Sequence, residues 1–69
     1  MERQPISSTN LSSVGHDEST SVLEVEFVNG SVYEYYDVPR EVYEELIRAG
    51  SAGSFFAQRI RKTYSFAQI

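Results

Sequence analysis

The stretch VNGSVYEYYDVP, Val28 to Pro39, places Tyr33, Tyr35 and Tyr36 just after an Asn-Gly turn. Upstream, SVLEVEFV alternates Leu23, Val25 and Phe27 with Glu24 and Glu26, the period-2 pattern of a half-buried strand. SVYEYYDV is rich in tyrosine and valine, so it reads as the partner strand of a hairpin. Two registers compete. If Asn29 and Gly30 form the whole loop, Val25 faces Glu34, and Glu34 joins the apolar face. If Val28-Asn29-Gly30 form a type I turn with Gly30 left-handed in a bulge, Val25 faces Tyr33 and Leu23 faces Tyr35.

Magnitudes separate them. An unpaired buried carboxylate costs several kcal/mol. Glu24 and Glu34 opposite each other in solvent cost only about 0.2–1 kcal/mol. Burying a large apolar side chain gains about 1.5–3 kcal/mol. The bulged register therefore wins. Tyr33 and Tyr35 point toward the core, with Tyr33 nearer the rim, and Tyr36 shares the outer face with Glu34.

The rest of the chain follows from this hairpin. Residues 1–9 read as a flexible N-terminal arm, with Ile6 placed to pin its end. Residues 10–66 form a single domain, with Phe66 placed to fold back, and 67–69 are a frayed tail. NLSSVGHD carries a short strand through Leu11 and Val14, and DESTS is a turn. Pro39 suits the first position of a helix, and Asp37 just before it favours the helix start. Val42, Tyr43, Leu46 and Ile47 form one apolar stripe. Glu44 and Arg48 are spaced to pair, and Gly50 is a natural stop. Ser51 can cap a second helix carrying Phe56, Ile60 and Tyr64, in which Gly53 suggests close backbone approach. The expected fold is α+β, in the order β-β-β-α-α: a three-stranded antiparallel meander packed on one face by two C-terminal helices. Its expected core is Leu23, Val25, Phe27, Tyr35, Val42, Leu46, Ile47, Phe56 and Ile60, with Leu11 or Val14.

Composition narrows the function classes. The 69 residues include no cysteine, which excludes disulfides and thiolate metal sites. No apolar run approaches the roughly 20 residues that span a bilayer, and MERQPISSTN lacks a signal-like apolar segment. The expectation is a cytoplasmic protein without membrane contact. The net charge of −4 is uneven: residues 1–39 carry one Arg and seven acids, and residues 40–69 carry five basic residues and three acids. An acidic chain steers phosphates away at long range, but a local basic patch still acts within about 10 Å.

With these elements placed, residues Ser7 to Tyr64 resemble the KTSC domain, a short family named for its occurrence at the C-terminus of some lysyl-tRNA synthetases. The likeness rests on the strand ending at Phe27, Gly30, the Tyr33-x-Tyr35 pair and Val38-Pro39. It continues through Tyr43, Ser51-x-Gly53, Phe56, Ile60-Arg61 and Tyr64. SSVGHD resembles the family's first strand, with His16 where a tyrosine often stands. The resemblance implies a small module that also occurs alone, with RNA binding suggested by its association with the synthetase.

No catalytic set emerges. His16-Asp17 is the one histidine-acid pair, and without companions it reads as a strand-end histidine. GSAGS lacks the lysine and spacing of a phosphate loop. Glu41, Glu44 and Glu45 read as a solvated helix face. No cofactor or metal is expected, and the chain reads as a non-enzymatic binding module. Its best candidate is QRIRKTY, where Arg59, Arg61 and Lys62 with Tyr64 resemble a small single-stranded RNA footprint. The same cations also suit a helix C-terminus, whose dipole favours them. The competing reading is protein interaction or homodimerisation through a sheet edge or exposed apolar surface.

The register argument generates a direct test. Tyr35→Ala is expected to unfold or strongly destabilise the domain, and Tyr36→Ala to be mild. Chemical denaturation of the two variants checks this, and the reverse order would discard the bulged register.

Overall fold

The computed structural model describes residues 1–69. The hairpin has the bulged register. Leu23 pairs with Tyr35, Glu24 with Glu34, and Val25 with Tyr33. Gly30 adopts φ 93°, a conformation that costs glycine little and L side chains much. The turn closes through the Gly30 N–H donating to the Phe27 carbonyl at 2.9 Å and the Phe27 N–H donating to the Ser31 carbonyl at 2.8 Å.

The sheet has five strands, not three. In chain order these are β1 Gln4–Pro5, β2 Leu11–Asp17, β3 Val22–Phe27, β4 Val32–Tyr35 and β5 Phe66–Gln68, and each pairs antiparallel with the next. Helix α1, Arg40–Arg48, and helix α2, Ala52–Phe55, lie between β4 and β5. Helix α2 runs on into a π turn, Phe56–Ile60.

The two additional strands come from the segments expected to be an arm and the start of a tail. Gln4 pairs with Val14 and Pro5 with Ser13. Phe66 pairs with Tyr35 and Gln68 with Tyr33. The physical reason is the open edge: a three-stranded sheet leaves unpaired N–H and C=O groups on its outer strands, and these two segments satisfy them. Pro5 fits the role because an edge strand tolerates a missing donor. Beyond β1, Ile6 packs against the core.

Strand β2 resolves a conflict in the sequence. Leu11 and Val14 are three apart, so a regular strand would put them on opposite faces. The register shifts between Leu11 and Ser13, and this bulge turns both inward, where each is fully buried.

Both helical segments cover the inner face of the sheet. Leu23, Val25, Tyr35, Leu46, Phe56 and Ile60 form the core as expected, joined by Val38, Tyr43 and Ala52. Phe27, Val42 and Ile47 are half-buried at its margin. The helix ends depart slightly from the sequence reading. Pro39 is the residue before α1, not its first, and α1 ends through Ala49 in an extended conformation one residue before Gly50. Ser51 caps α2, its hydroxyl accepting the Ser54 N–H at 3.3 Å. Glu44 binds both Arg40 and Arg48 at 3.5 Å.

The outer face holds the facing pair Glu24 and Glu34. Strand β1 brings Arg3 onto Glu24 and to within 3.9 Å of Glu26, and the Tyr36 hydroxyl donates to Glu34 at 3.2 Å. Both contacts offset the repulsion that the bulged register accepts. The approach of β1 depends on Gly15, where a Cβ would collide with the Glu2 carbonyl oxygen and lie 3.1 Å from Cγ of Arg3.

Gly15→Ala is therefore expected to lift residues 2–5 and destabilise the domain by about 1–3 kcal/mol. Arg3→Ala alone should cost no more than about 1 kcal/mol. In the Gly15→Ala background, Arg3→Ala should cost almost nothing, because the ion pair is already lost. Denaturant titration of the two single variants and the double variant checks this coupling.

Candidate functional site

A groove opens on the helix-covered side of the sheet, at the hairpin end. It lies between the β3–β4 hairpin, strand β5 and the π turn, with a volume of about 500 Å³. Its aromatic lining follows from the register. The inward face of the hairpin supplies Phe27, Tyr33 and Tyr35, the π turn supplies Phe56, and β5 supplies Phe66. The rings interlock. Tyr35 meets Phe56 edge-on at 5.3 Å, and Phe27 meets Tyr33 and Phe56 edge-on at 5.5 and 5.6 Å. Phe66 lies at 5.3 Å from Tyr35 and 5.9 Å from Tyr33.

Arg61 stands at the lip of this groove. The π turn puts it there. The Arg61 N–H donates to the Phe56 carbonyl, five residues back, at 3.0 Å, so Arg61 sits one turn beyond Phe56. In an unbroken α-helix the residue bonded back to Phe56 would be Ile60. The single wide turn thus keeps Phe56 and Ile60 buried and delivers the guanidinium to the aromatic lining.

The other sequence candidates do not converge there. Arg59 turns to α1, 3.8 Å from Glu45, with its guanidinium over the Phe55 ring at 5.3 Å. Lys62 is exposed beside Arg61. Tyr64 is half-buried against the core and is not part of the groove lining. Of the six basic residues, Arg3, Arg40, Arg48 and Arg59 are ion-paired, and Arg61 and Lys62 have no carboxylate partner. The inward placement of Tyr33 and Tyr35, with Tyr33 nearer the rim, follows from the sequence, but their part in a groove does not. The groove residues Asn10, Phe27 and Val28 went unrecognised as a surface because they become neighbours only through the hairpin and the β2 pairing.

Burial pushes the Tyr35 hydroxyl above the ordinary tyrosine value of 10.0; the neighbouring Tyr33 phenol adds to this and the positive charge of Arg61 opposes it. At neutral pH the hydroxyl keeps its proton and can donate.

His16 lies elsewhere, at the far end of β2. Its Nε2 is 2.7 Å from the Val38 carbonyl, which can only accept, so Nε2 carries the proton and donates. The ring stacks on Tyr43 at 5.5 Å with 21° between planes, and Nδ1 is buried without a partner. Asp17 does not engage it. The Asp17 carboxylate accepts from the Ser19 hydroxyl and N–H at 2.7 and 3.0 Å, and these bonds hold its pKa below the ordinary 3.8. His16 is a packing residue joining β2 to the start of α1. No group of three metal-ligating side chains converges, and no helix is long and apolar enough to cross a membrane.

The family model for the KTSC domain matches residues 7–64, a span that includes the hairpin, both helical segments and Arg61. The chain belongs to the KTSC domain family. A KTSC domain protein from Yersinia pestis, known from its crystal structure, superimposes with a TM-score of 0.93 at 33% identity, covering 99% of this chain and 96% of that one. An uncharacterised protein of Stutzerimonas stutzeri is 43% identical over 58 residues, which span 84% of this chain and 82% of its own. A lysine–tRNA ligase of Nostoc punctiforme is 41% identical over 54 residues, 78% of this chain but 10% of the ligase. This KTSC domain thus matches small proteins along most of their length and a synthetase along a short segment. The family match ends before β5, so Phe66 lies outside it.

The raised Tyr35 pKa sets a pH dependence. The buried phenol must deprotonate above its unfolded value, so its contribution to stability is complete below pH 10.0 and is lost as the pH rises toward the higher folded value. Tyr35→Phe removes the ionisation. Its melting temperature is expected to fall less than that of the unaltered chain as the pH is raised past 10.0, as thermal melts across that range would show.

Proposed function

We propose that this KTSC domain is a cytoplasmic, non-enzymatic binding module that takes single-stranded RNA at the aromatic groove. A base packs against the phenyl and phenol rings, and its phosphate meets Arg61 and Lys62. The observation that carries this reading is the placement of Arg61: an arginine without an acidic partner, brought by a π turn to the lip of a groove lined by rings. Stacking on aromatic side chains and phosphate contact by nearby cations are the two ingredients of sequence-tolerant single-strand binding. The acidic residues Glu24, Glu26 and Glu34 lie on the opposite face of the sheet, where they do not line the groove. The likeness to a segment of a lysine–tRNA ligase is consistent with this reading.

Protein interaction is the second reading. Val28, Phe66 and Ile69 are large apolar residues left exposed, and such side chains can anchor a partner. The edges that a three-stranded sheet would offer are occupied by β1 and β5. Strand addition would have to use the outer edges of the short strands β1 and β5, while the exposed apolar side chains offer a second kind of contact. A melting temperature that rises with protein concentration would mark it.

For RNA, the test is fluorescence anisotropy of a labelled oligouridine over a range of salt. Affinity is expected to fall with salt. Arg61→Gln should weaken binding and flatten the logarithmic salt slope by about 0.7, the increment for one phosphate contact on a single strand. Arg59→Gln, whose charge is committed to Glu45, should leave the slope unchanged. Absence of salt-dependent binding would end the RNA reading.

A further inference from the structure

The two short edge strands are held differently. Strand β1 is fastened by a side chain: Arg3, just before it, bridges to Glu24 and Glu26. Strand β5 has no such fastening. No residue from Lys62 to Ile69 makes a side-chain hydrogen bond or an ion pair, and all three residues of β5 are exposed. Main-chain bonds to β4 and the Phe66 ring are its whole attachment. The bonds flanking the strand are the Tyr36 N–H to the Ser65 carbonyl and the Ile69 N–H to the Val32 carbonyl, both 2.9 Å.

Phe66 is 53% exposed, yet its ring sits against Tyr35 in a tilted contact, 5.3 Å between centroids and 31° between planes. A flat aromatic ligand approaching this side of Tyr35 would meet Phe66 first. Beneath it, Tyr35 is 3% exposed, so the closed groove offers a ligand almost none of this ring. A base that stacks on Tyr35 must take the place of Phe66.

We infer that β5 is a displaceable internal occupant of the groove: Phe66 stands where a nucleobase would stack, and the strand leaves β4 when RNA enters. This rests on the RNA reading above and adds how the site is opened. The design is self-consistent. Arg61 is fixed by the π turn, ahead of the turn residues that lead into β5, so the tail can move without carrying the guanidinium away. No acidic side chain follows Glu45 in the chain, so the tail covers the rings while leaving Arg61 and Lys62 free for phosphate. Occupancy by the tail lowers the apparent affinity by the fraction of open molecules.

The test uses the full chain, labelled oligouridine and amide hydrogen exchange. Phe66→Ala removes the competing ring. Ala67→Pro keeps that ring but removes a main-chain donor from the middle of β5. Both variants are expected to bind oligouridine more tightly, by about three- to tenfold if the open form of the unaltered chain is a minor population. In the unaltered chain, RNA should accelerate exchange of the Ala67 and Ile69 amides, which face β4, while β2 and β3 stay protected. If RNA binds but both variants bind it no more tightly, and the tail amides remain protected, Phe66 is a fixed wall and the inference fails while the RNA reading stands. If neither the unaltered chain nor the variants bind RNA, both fail. An Ala67→Pro chain that dimerises in sedimentation without gaining RNA affinity also overturns the inference, because a second copy then fills the vacated edge.

Discussion

Two main-chain hydrogen bonds across a three-residue turn hold the rest of the domain in register. The Gly30 N–H reaches the Phe27 carbonyl, and the Phe27 N–H reaches the Ser31 carbonyl. Side chains in a strand alternate between faces, so one residue more or less in this loop would exchange the faces of the whole of β4. With the loop as it stands, Tyr35 is buried against Phe56, Tyr33 lines the groove and Glu34 meets solvent. The left-handed Gly30 is a small local feature with a global consequence. It decides which of two chemically opposite faces becomes the core.

The bulged register leaves two carboxylates facing each other on the outer sheet, and the fold answers this through its N-terminus. Strand β1 lies across β2 at Gly15, where the missing Cβ permits close approach, and carries Arg3 to Glu24 and Glu26. The second edge is closed by β5, with Phe66 over the tyrosines. Each end of the chain thus completes a strand edge and covers the side-chain problem nearest to it, repulsion at one edge and exposed rings at the other. A domain this small has little interior to spare, and short terminal strands add paired backbone without lengthening the core.

The groove and its arginine arise from a second local irregularity. An α-helix through Phe56 and Ile60 would have aligned Ile60 with Phe56 and turned Arg61 aside. The π turn accommodates an extra residue, so two apolar residues stay buried and the following cation meets the aromatic lining. Irregular helical turns often mark functional sites because they re-aim one side chain without moving the scaffold. Here the re-aimed side chain is one of two cations in the chain that no carboxylate neutralises.

Much of the architecture was legible in the residues alone. Alternation in VLEVEF, the NG turn, the stripe from Val42 to Ile47 and the Ser51 cap are local signals with local causes. The energetic comparison between a buried Glu34 and a facing Glu24–Glu34 pair settled the hairpin, and with it the inward tyrosines. Strands β1 and β5 were not legible, because two or three residues carry no periodicity and are ordered by the edges they cover. The inward turn of both Leu11 and Val14 required a bulge whose register is set by β3. The dispersal of Arg59, Arg61 and Lys62 required a π turn, and the pairing of Arg59 required Glu45 on another helix. The sequence by itself therefore determined the elements, the register of one hairpin and the apolar core they share. Tertiary structure alone decided which segments form the outer strands of the sheet and which arginine stands at the groove, because both depend on contacts between segments far apart in the chain.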